Sequence, residues 1–509
     1  MSDFLTPHLP VLPILLPFVA GLLLLALPAL NTTGKRLLTM LALLLQVGVA
    51  LVLLSQTAGG DILVYRLGDW PAPWGIVLVA DRLSTWMIVI TTLLALAAAF
   101  AFGNGDDTRG PHFHVLFQMQ LFGLAGAFLT GDLFNLFVFF EVLLLASYGL
   151  LLHGGGSDRV RSGLHYVVLN LIGSTVFLFA AGLLYGTLGT LNMADLAQRA
   201  ANVPASELGL VRTGGLLLFA VFALKAALLP LYFWLPAAYA NTTAPVAALF
   251  AIMTKVGAYA ILRQQSLAFG PDAGPVAGLY EPWLLPLALL TLTLGMLGAL
   301  AADRLKRLAA YLVVASVGTL LVAFSLGTDG IAAGLYYLPH STFAAATLFL
   351  LADAIARRRA HAGDALNQGD STLPQAPLWG ALFFVTAVLI AGLPPLSGFL
   401  GKVVIMRAAI DHPSVAFIWT AILITALLGI VALARTGSRL FFNTATEQVV
   451  DTPCARRHDL LAIGSLLALA LALTVWAGPA MEFTQATANQ LGTPELYIRA
   501  VLAPMEAGS

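Results

Sequence analysis

Long apolar runs, separated by short polar stretches, recur along the chain from its first residues to about position 478. A helix of about 20 residues is long enough to cross roughly 30 Å of hydrocarbon. The runs are continuously apolar and do not alternate with a period of two, which excludes a membrane β-barrel. The pattern therefore predicts an all-α polytopic membrane protein with about fourteen transmembrane helices.

The predicted spans, numbered in chain order, cover about residues 10–30, 36–55, 78–102, 113–130, 133–152, 164–186, 213–235, 244–264, 282–301, 308–326, 332–356, 377–411, 414–436 and 459–478. Of the 509 residues, 59% are hydrophobic and only 10% are charged. Soluble domains are roughly one quarter charged, so the composition agrees with a protein embedded in a lipid bilayer. The formal net charge is zero and no long block of like charge occurs. Nothing in the charge pattern indicates a nucleic-acid partner.

Basic residues are divided unevenly between alternate loops. One side carries Lys35, Arg36, Arg109, Arg159, Arg161, Arg304, Lys306, Arg307, Arg357, Arg358, Arg359, Arg435, Arg439, Arg456 and Arg457. The other side carries Arg66, Arg82, Arg199, Arg212, Arg263, Arg407 and Arg499. Because the richer side is normally cytoplasmic, we expect both termini on the outer side of the membrane. The N-terminal MSDFLTPHLPVLPILLPF lacks the marks of a cleaved signal and predicts a retained first span.

Four ionisable residues lie in or beside the predicted spans, where they are costly in lipid. Glu141, Lys225 and Lys255 are near the middle of spans, and Lys402 follows LPPLSGFLG. Such residues indicate an ion or proton pathway. If all four were ionised, the interior would carry a net charge of about +2, which a low dielectric disfavours. We therefore expect at least one lysine to be neutral, or partnered by water, part of the time, and coupled states of this kind can relay protons.

Prolines interrupt spans seven and twelve, in KAALLPLYFWLP and GLPPLSGFLGK. Such breaks belong where water or protein satisfies the freed backbone groups. LLP at 228–230 aligns with GLP at 392–394, and the two breaks are five spans apart. Because an odd number of spans reverses the direction of the chain through the membrane, this alignment predicts an inverted repeat. The polar linker RRRAHAGDALNQGDSTLPQAP, between spans eleven and twelve, is expected to be the seam between the halves. The expected organisation has four parts. These parts are N-terminal spans at 1–112, a first repeat at 113–268, a second repeat at 282–436, and a loop, last span and tail at 437–509.

The single cysteine, Cys454, lies in a polar loop. One cysteine forms no internal disulfide and no metal cluster by itself. No cluster of several carboxylates indicates a dedicated sodium site. We therefore expect neither a cofactor nor a bound metal.

Two stretches, GDLFNLFVFFEVLLLASYGLL and LKAALLPLYFWLPAAYANTTAPVAALFAIMTKVGAYAILR, resemble the D subunits of the Mrp-type (or Pha-type) multisubunit cation/proton antiporters. They are more distantly similar to the antiporter-like membrane subunits of respiratory complex I. The resemblance covers essentially all fourteen spans. It implies that Glu141 pairs with Lys225, that Lys255 is the central site, and that Lys402 ends the path. It also implies a relay role for His340 in YYLPHSTFAAATLFLLAD, since histidine titrates near neutrality.

Two departures favour the Mrp-type resemblance over the complex I one. Complex I relatives commonly carry a lysine just before the LFL run of span eleven, where this chain has Ala345. Their distal subunit also carries a long lateral helix after span fourteen, which the tail GPAMEFTQATANQLGTPELYIRAVLAPMEAGS is too short to supply.

The resemblance implies a proton-translocating subunit of a multisubunit antiporter that exchanges Na⁺ or K⁺ for protons. It would be a secondary transporter rather than an enzyme, would work with other subunits of a hetero-oligomeric complex, and would lie in the bacterial inner (cell) membrane. Two alternatives stay open, namely a proton-pumping subunit of a complex I-type or membrane hydrogenase oxidoreductase, and an inert scaffold that kept its charges.

Several residues also have structural interpretations. Glu141 and Lys225 could form an ion pair that fastens two helices, and Lys402 could extend to an interface. His340 could serve in helix packing, and for His165 we expect a structural role of this kind. Hydroxyl groups are expected to complete the proton wire, with candidates at Thr175, Thr254 and Ser316.

Overall fold

The computed structural model describes residues 6–359, 362–368, 373–442 and 456–503, so Cys454 lies outside the described residues. Nearly all of this part is helical. The first ten helices are α1 Leu12–Ala26, α2 Thr32–Thr57, α3 Arg82–Ala99, α4 Phe113–Leu129, α5 Leu133–Leu152, α6 Ser157–Leu188, α7 Met193–Ala201, α8 Leu208–Ala226, α9 Trp234–Asn241 and α10 Ala244–Phe250. The others are α11 Met253–Ser266, α12 Glu281–Ala301, α13 Leu305–Phe324, α14 Gly327–Ala356, α15 Ala376–Ala391, α16 Ser397–Ala408, α17 Val415–Phe441, α18 Arg457–Val475, α19 Ala477–Leu491 and α20 Pro494–Leu502.

Each of the fourteen predicted spans coincides with apolar helix. In the described part of the chain, twelve helical segments are long and apolar enough to cross a membrane, and α4 and α15 are shorter apolar helices. The chain is therefore a multi-pass helical membrane protein. The crossing of all fourteen segments, the inverted repeat and the four-part organisation stay predictions.

A β-hairpin and two tail helices add to the predicted all-α bundle. Strand β1, Leu63–Arg66, pairs antiparallel with β2, Val77–Ala80, in the long loop after span two. Valine, leucine and tyrosine suit a half-buried pleated surface, and all of β2 is buried. After the last span, α19 packs against α14, and α20 packs against α7. The tail thus folds back onto its own chain.

Both predicted helix breaks are present. Helix α8 ends at Ala226, the next residue is left-handed with φ 58°, and α9 begins only at Trp234. Helix α15 ends at Ala391, and Gly392 follows with φ 76°. Span eight, predicted to be continuous, is also interrupted, because a turn separates α10 from α11.

Side chains satisfy carbonyl groups at these interruptions. The indole nitrogen of Trp234 donates to the carbonyl of Leu224 at 3.1 Å. The hydroxyl of Tyr239 donates to the carbonyl of Phe250 at 2.7 Å. Lipid offers no donor for a freed carbonyl, so these contacts make irregular backbone tolerable at membrane depth.

A glycine brings α11 directly against the break in span seven. A Cβ atom on Gly257 would lie 2.7 Å from the carbonyl oxygen of Phe222 and closer still to the amide nitrogen of Ala226. No larger residue fits without moving the two helices apart. The contact therefore sets the helix of Lys255 beside the helix of Lys225.

Buried ion pairs join helix ends on the side rich in basic residues. Asp459, 3% exposed at the start of α18, accepts hydrogen bonds from Arg357 at 2.5 Å and Arg358 at 2.9 Å. It also accepts a hydrogen bond from Asn104 at 2.7 Å. One carboxylate thereby connects the ends of α3, α14 and α18.

A second ion pair on this side fixes the start of α2. Arg36 binds both carboxylate oxygens of Asp107 at 2.7 Å, and His114 contacts the same carboxylate at 3.2 Å. Burial raises the pKa of Asp107, but the hydrogen bonds from Arg36 and His114 outweigh burial and lower it to about 2.

On the opposite side, a buried bidentate ion pair joins α11 to the start of α3. Arg263 donates to Asp81 at 2.6 and 2.9 Å. The rings of Tyr259 and Tyr497 lie 5.4 and 5.2 Å from the guanidinium. Because Tyr497 belongs to α20, the tail covers this pair.

We expect Asp459→Ala to lower the free energy of unfolding by about 3–5 kcal/mol, because it removes a buried carboxylate that accepts hydrogen bonds from both Arg357 and Arg358. The measurement is the thermal midpoint of the detergent-purified protein. The matched control is Asp303→Ala, since Asp303 pairs with Arg307 with both side chains nearly half exposed. An exposed pair contributes at most about 1 kcal/mol. Equal shifts in the two variants would contradict the assignment of Asp459 as an anchor.

We expect the stabilisation from Asp107 to depend on pH. An unfolded aspartate has a pKa of about 3.9, so the ionised group stabilises the fold above roughly pH 4 and loses this effect as the pH falls towards 2. Replacing Arg36 by alanine removes the main donor. The native chain should thus have a higher thermal midpoint than Arg36→Ala at pH 5, and this difference should become smaller as the pH falls from 4 to 2. A difference that does not change with pH would contradict this origin.

Candidate functional site

Glu141 projects from α5 towards α6, where Ser174 meets it. The Ser174 hydroxyl is hydrogen-bonded to the Glu141 carboxylate and lies 3.0 Å from the carbonyl oxygen of Asn170. A hydroxyl donates one hydrogen bond and accepts others, so Ser174 can exchange partners with the protonation of the carboxylate.

Lys225, in the last turn of α8, is buried and directed at the same face of α6. Its ammonium nitrogen donates to the side-chain oxygen of Asn170 at 3.1 Å and lies 6.0 Å from the ring centre of Phe140. The amide nitrogen of Asn170 donates in turn to the carbonyl of Tyr166 at 2.9 Å. The asparagine is thereby held with its oxygen towards Lys225.

Glu141 and Lys225 are thus joined through α6 rather than by a direct ion pair. No contact within 4.0 Å links the two charged groups, both of which lie in the described part of the chain. Asn170 and Ser174 are four residues apart and share one helix face. Neither residue is among the predicted site residues, although polar residues at this spacing in the apolar run HYVVLNLIGSTVFLF were a usable signal. Thr175, the predicted hydroxyl group on this helix, is exposed and bonded to its own helix.

A small cavity lies between Lys225 and α11. It measures about 10 Å³ and is lined in part by Asn170, Trp234, Met253 and Val256. A cavity needs roughly 10–15 Å³ to hold one water molecule. The space therefore suits about one water on the side of Lys225 that faces the helix of Lys255.

Lys255, on α11, is fully buried at 0% exposure. Neither its ammonium nitrogen nor the hydroxyl of Thr254 has a hydrogen-bond partner among the described residues. A buried charged or polar group without a protein partner requires water. Lys255 also lies within electrostatic reach of His340.

His340, on α14, faces the break in span twelve. Its Nδ1 atom lies 3.0 Å from the hydroxyl of Ser397, the first residue of α16. A Cβ atom on Gly398 would lie 2.7 Å from the imidazole ring, so only glycine leaves room for it. The histidine is therefore held directly against the second broken helix.

Lys402, on α16, turns back over the same break. Its ammonium donates to the carbonyl of Ala391 at 2.7 Å, at the C-terminal end of α15. A cation at this end is favoured by the helix dipole. The side chain passes so close to Gly392 that a Cβ atom there would lie 2.9 Å from it. Lys402 is thus directed at the break.

His340 and Lys402 line a common cavity of about 40 Å³, large enough for about three water molecules. Ser316 and Tyr337 contribute hydroxyl groups to its wall. Ala345, at the position of the lysine in complex I relatives, lines it as well. The cavity brings the last two predicted site residues together around space for water.

The five predicted site residues lie on α5, α8, α11, α14 and α16. Helix α6 packs against both α5 and α8, α8 packs against α11, and α14 packs against α16. His165 is exposed on α6 and lies outside this series.

Comparison with known proteins agrees with the helical membrane fold. Residues 130–429 match the family described as NADH:quinone oxidoreductase/Mrp antiporter, TM. A protein of Rhizobium meliloti, named as the D subunit of a probable K(+)/H(+) antiporter, is 41% identical, over 100% of both chains. A protein of Alkalihalophilus pseudofirmus, named as the D subunit of a Na(+)/H(+) antiporter, is 36% identical, over 97% of this chain and 99% of its own. A chain in the structure of the Mrp complex from Dietzia sp. has a TM-score of 0.86 at 28% identity, over 97% of this chain and 100% of its own.

Two relatives more than a third identical over essentially their full length, together with the family match, establish the relationship. The chain belongs to the NADH:quinone oxidoreductase/Mrp antiporter membrane family and, within it, to the D subunits of multisubunit cation/proton antiporters.

Proposed function

We propose that this chain carries the proton path of a multisubunit Na⁺(K⁺)/H⁺ antiporter, through Glu141, Lys225, Lys255, His340 and Lys402. The observation that carries the proposal is the contact of Glu141 and Lys225 with neighbouring residues of α6. Two small cavities, one beside Lys225 and one beside Lys402, support it, because each has room for the water that proton transfer requires.

Transfer begins with a change of charge at Glu141. While the carboxylate is ionised, it attracts the Lys225 ammonium, and Ser174 donates to it. When Glu141 takes up a proton, this attraction disappears and Ser174 is free to donate elsewhere. Lys225 can then release a proton, which passes through the adjacent water site towards Lys255. The protonation states of Glu141 and Lys225 are thus coupled, and protonation of Glu141 triggers release of the proton from Lys225.

The second half of the path uses the shared cavity of His340 and Lys402. A neutral imidazole has one donor and one acceptor nitrogen, so it can pass a proton between water molecules. The carbonyl of Ala391 and water in this cavity compete for the ammonium group of Lys402. Its movement from the carbonyl to water would complete the transfer.

The antiporter is favoured over a redox-driven pump by two features. Ala345 leaves the cavity wall without the lysine of complex I relatives. Helices α19 and α20 pack on this chain's own α14 and α7 instead of extending as a lateral helix. The named relatives differ in their ion, one K⁺ and one Na⁺, so we propose exchange of one of these for protons.

We further propose a bacterial inner-membrane location with both termini outside. The uneven division of basic residues supports this orientation. The buried ion pairs of Asp459 and of Asp107 lie on the side proposed to be cytoplasmic.

We expect Glu141→Ala, Lys225→Ala and Lys402→Ala each to abolish most cation-dependent proton flux, because each removes a transferring group. Removing a positioned proton donor or acceptor typically costs roughly 100-fold or more. The measurement uses inverted vesicles of antiporter-deficient cells that express the whole complex, compared at equal assembly. The control is Glu495→Ala, which removes a carboxylate that is mostly exposed. Unchanged flux in the three variants would place the path in another subunit and favour the scaffold alternative.

Asn170→Leu tests the connection through α6. It removes the acceptor of Lys225 while keeping every charged group, and misplacing a reacting group by about 1 Å can cost roughly 100-fold in rate. We expect a loss of flux in the same vesicle assay without loss of assembly. Leu171→Ala, on the exposed face of the same helix, should retain native flux. Native flux in Asn170→Leu would mean that Glu141 and Lys225 communicate by another route.

A further inference from the structure

Helix α4 carries three buried polar side chains, one of which has no assigned role. His114 lies 3.2 Å from Asp107, and Gln118 accepts a hydrogen bond from Gln46 at 3.0 Å. Gln120 is 0% exposed, and among the described residues neither its oxygen nor its nitrogen has a partner. His114 and Gln118 each contact a protein partner, although the amide nitrogen of Gln118 has none, whereas Gln120 has no partner at either atom in the described part of the chain.

A buried amide without partners is unfavourable, and an apolar side chain would suit the position better. Buried polar groups in native proteins are almost always bonded to protein or to ordered water. An amide offers two donors and one acceptor oxygen, so it can hold water in either orientation. The unpartnered amide of Gln120 therefore indicates a buried water site.

The register of α4 shows which helix Gln120 faces. Gln120, Leu124 and Phe128 follow each other at intervals of four and share one stripe of the helix. The carbonyl of Phe128 accepts a hydrogen bond from the Tyr259 hydroxyl at 2.6 Å, and the two rings are 5.1 Å apart. Tyr259 belongs to α11, so this stripe of α4 faces α11.

The two helices run in the same direction. Arg263, near the end of α11, pairs with Asp81 directly after β2. Thr130, directly after α4, bridges Leu78 within β2. Both helices therefore end at the hairpin.

Parallel register brings Gln120 close to the level of Lys255. Lys255 precedes Tyr259 by one turn on the same face, about 6 Å at 1.5 Å per residue, and Gln120 precedes Phe128 by two turns, about 12 Å. The levels of the two residues therefore differ by about 6 Å, because the helices are parallel and the two offsets subtract. Both side chains are long, and both lack a protein partner among the described residues.

We propose that Gln120 is a positioning residue that holds water against the central lysine. Gln120 and Lys255 together bring two unpartnered polar side chains to the facing surfaces of α4 and α11. Water bound by the amide gives the ammonium an acceptor and gives the neutral amine a donor. Lys255 can then gain and lose its proton without a charged partner. This inference rests on the proposed function and names one residue that supports it.

The test replaces Gln120 by methionine, which has a similar length and no hydrogen-bonding amide. We expect proton flux of the whole complex in inverted vesicles to fall roughly tenfold, while the thermal midpoint of the complex stays unchanged or rises. Gln120→Asn, which keeps an amide, should restore a large part of the flux. A structural role would give the opposite pattern, with a lower thermal midpoint and no specific rescue by asparagine.

Gln118→Met on the same helix is the matched control. It leaves Gln46 without its acceptor, so we expect a lower thermal midpoint but native flux per assembled complex. If Gln120→Met does not assemble, proton flux and the thermal midpoint are compared between Gln120→Leu, which lacks the amide, and Gln120→Asn, which keeps it.

Lys255→Ala separates the role of Gln120 from that of the path as a whole. Native flux in Gln120→Met together with an inactive Lys255→Ala would overturn the role of Gln120 alone. Native flux in Lys255→Ala would overturn the proposed path and the role of Gln120 with it. A lower thermal midpoint for Gln120→Met would also overturn the inference, because it would show that the amide is bonded within the fold.

Discussion

Hydrogen bonding in a medium that offers no partners governs this structure. Lipid satisfies neither a free carbonyl nor an ammonium, so each polar group in the bundle must be matched by the protein or by water that the protein holds. The broken helices show one outcome. Trp234 satisfies Leu224, Tyr239 satisfies Phe250, and in span twelve the donor is Lys402, a residue of the proposed path. At that break, one lysine both satisfies the freed carbonyl of Ala391 and belongs to the proposed proton path.

The same constraint orders the buried charges into two kinds. Lys225 has a fixed acceptor in Asn170, whereas Lys255 has no protein partner in the described part of the chain. A lysine with a polar partner can keep its charge, and one without can do so only beside water. An alternation of this kind suits stepwise transfer, since no site holds the proton so firmly that the next cannot receive it.

Buried ion pairs hold the ends of several helices. Asp459 and Arg263 anchor opposite sides through short, buried charge-assisted hydrogen bonds, and the tail helix α20 covers the second of these with Tyr497. Two small cavities and the unpartnered ammonium of Lys255 lie between these anchored ends. The anchors keep the groups of the proposed path in register, and the cavities give room for the water that changes of protonation require.

Hydrophobic run length, proline position and the cost of charge in lipid by themselves determined the helical membrane fold, both broken spans and the choice of Glu141, Lys225, Lys255 and Lys402, because each follows from local chemistry. His340 was implied by the family resemblance. Contacts between helices did not follow from local chemistry. Asn170 and Ser174 gain their role only because helix packing places them between Glu141 and Lys225. The hairpin, the folded tail and the isolation of Gln120 likewise depend on which faces meet, and only the tertiary structure decides that.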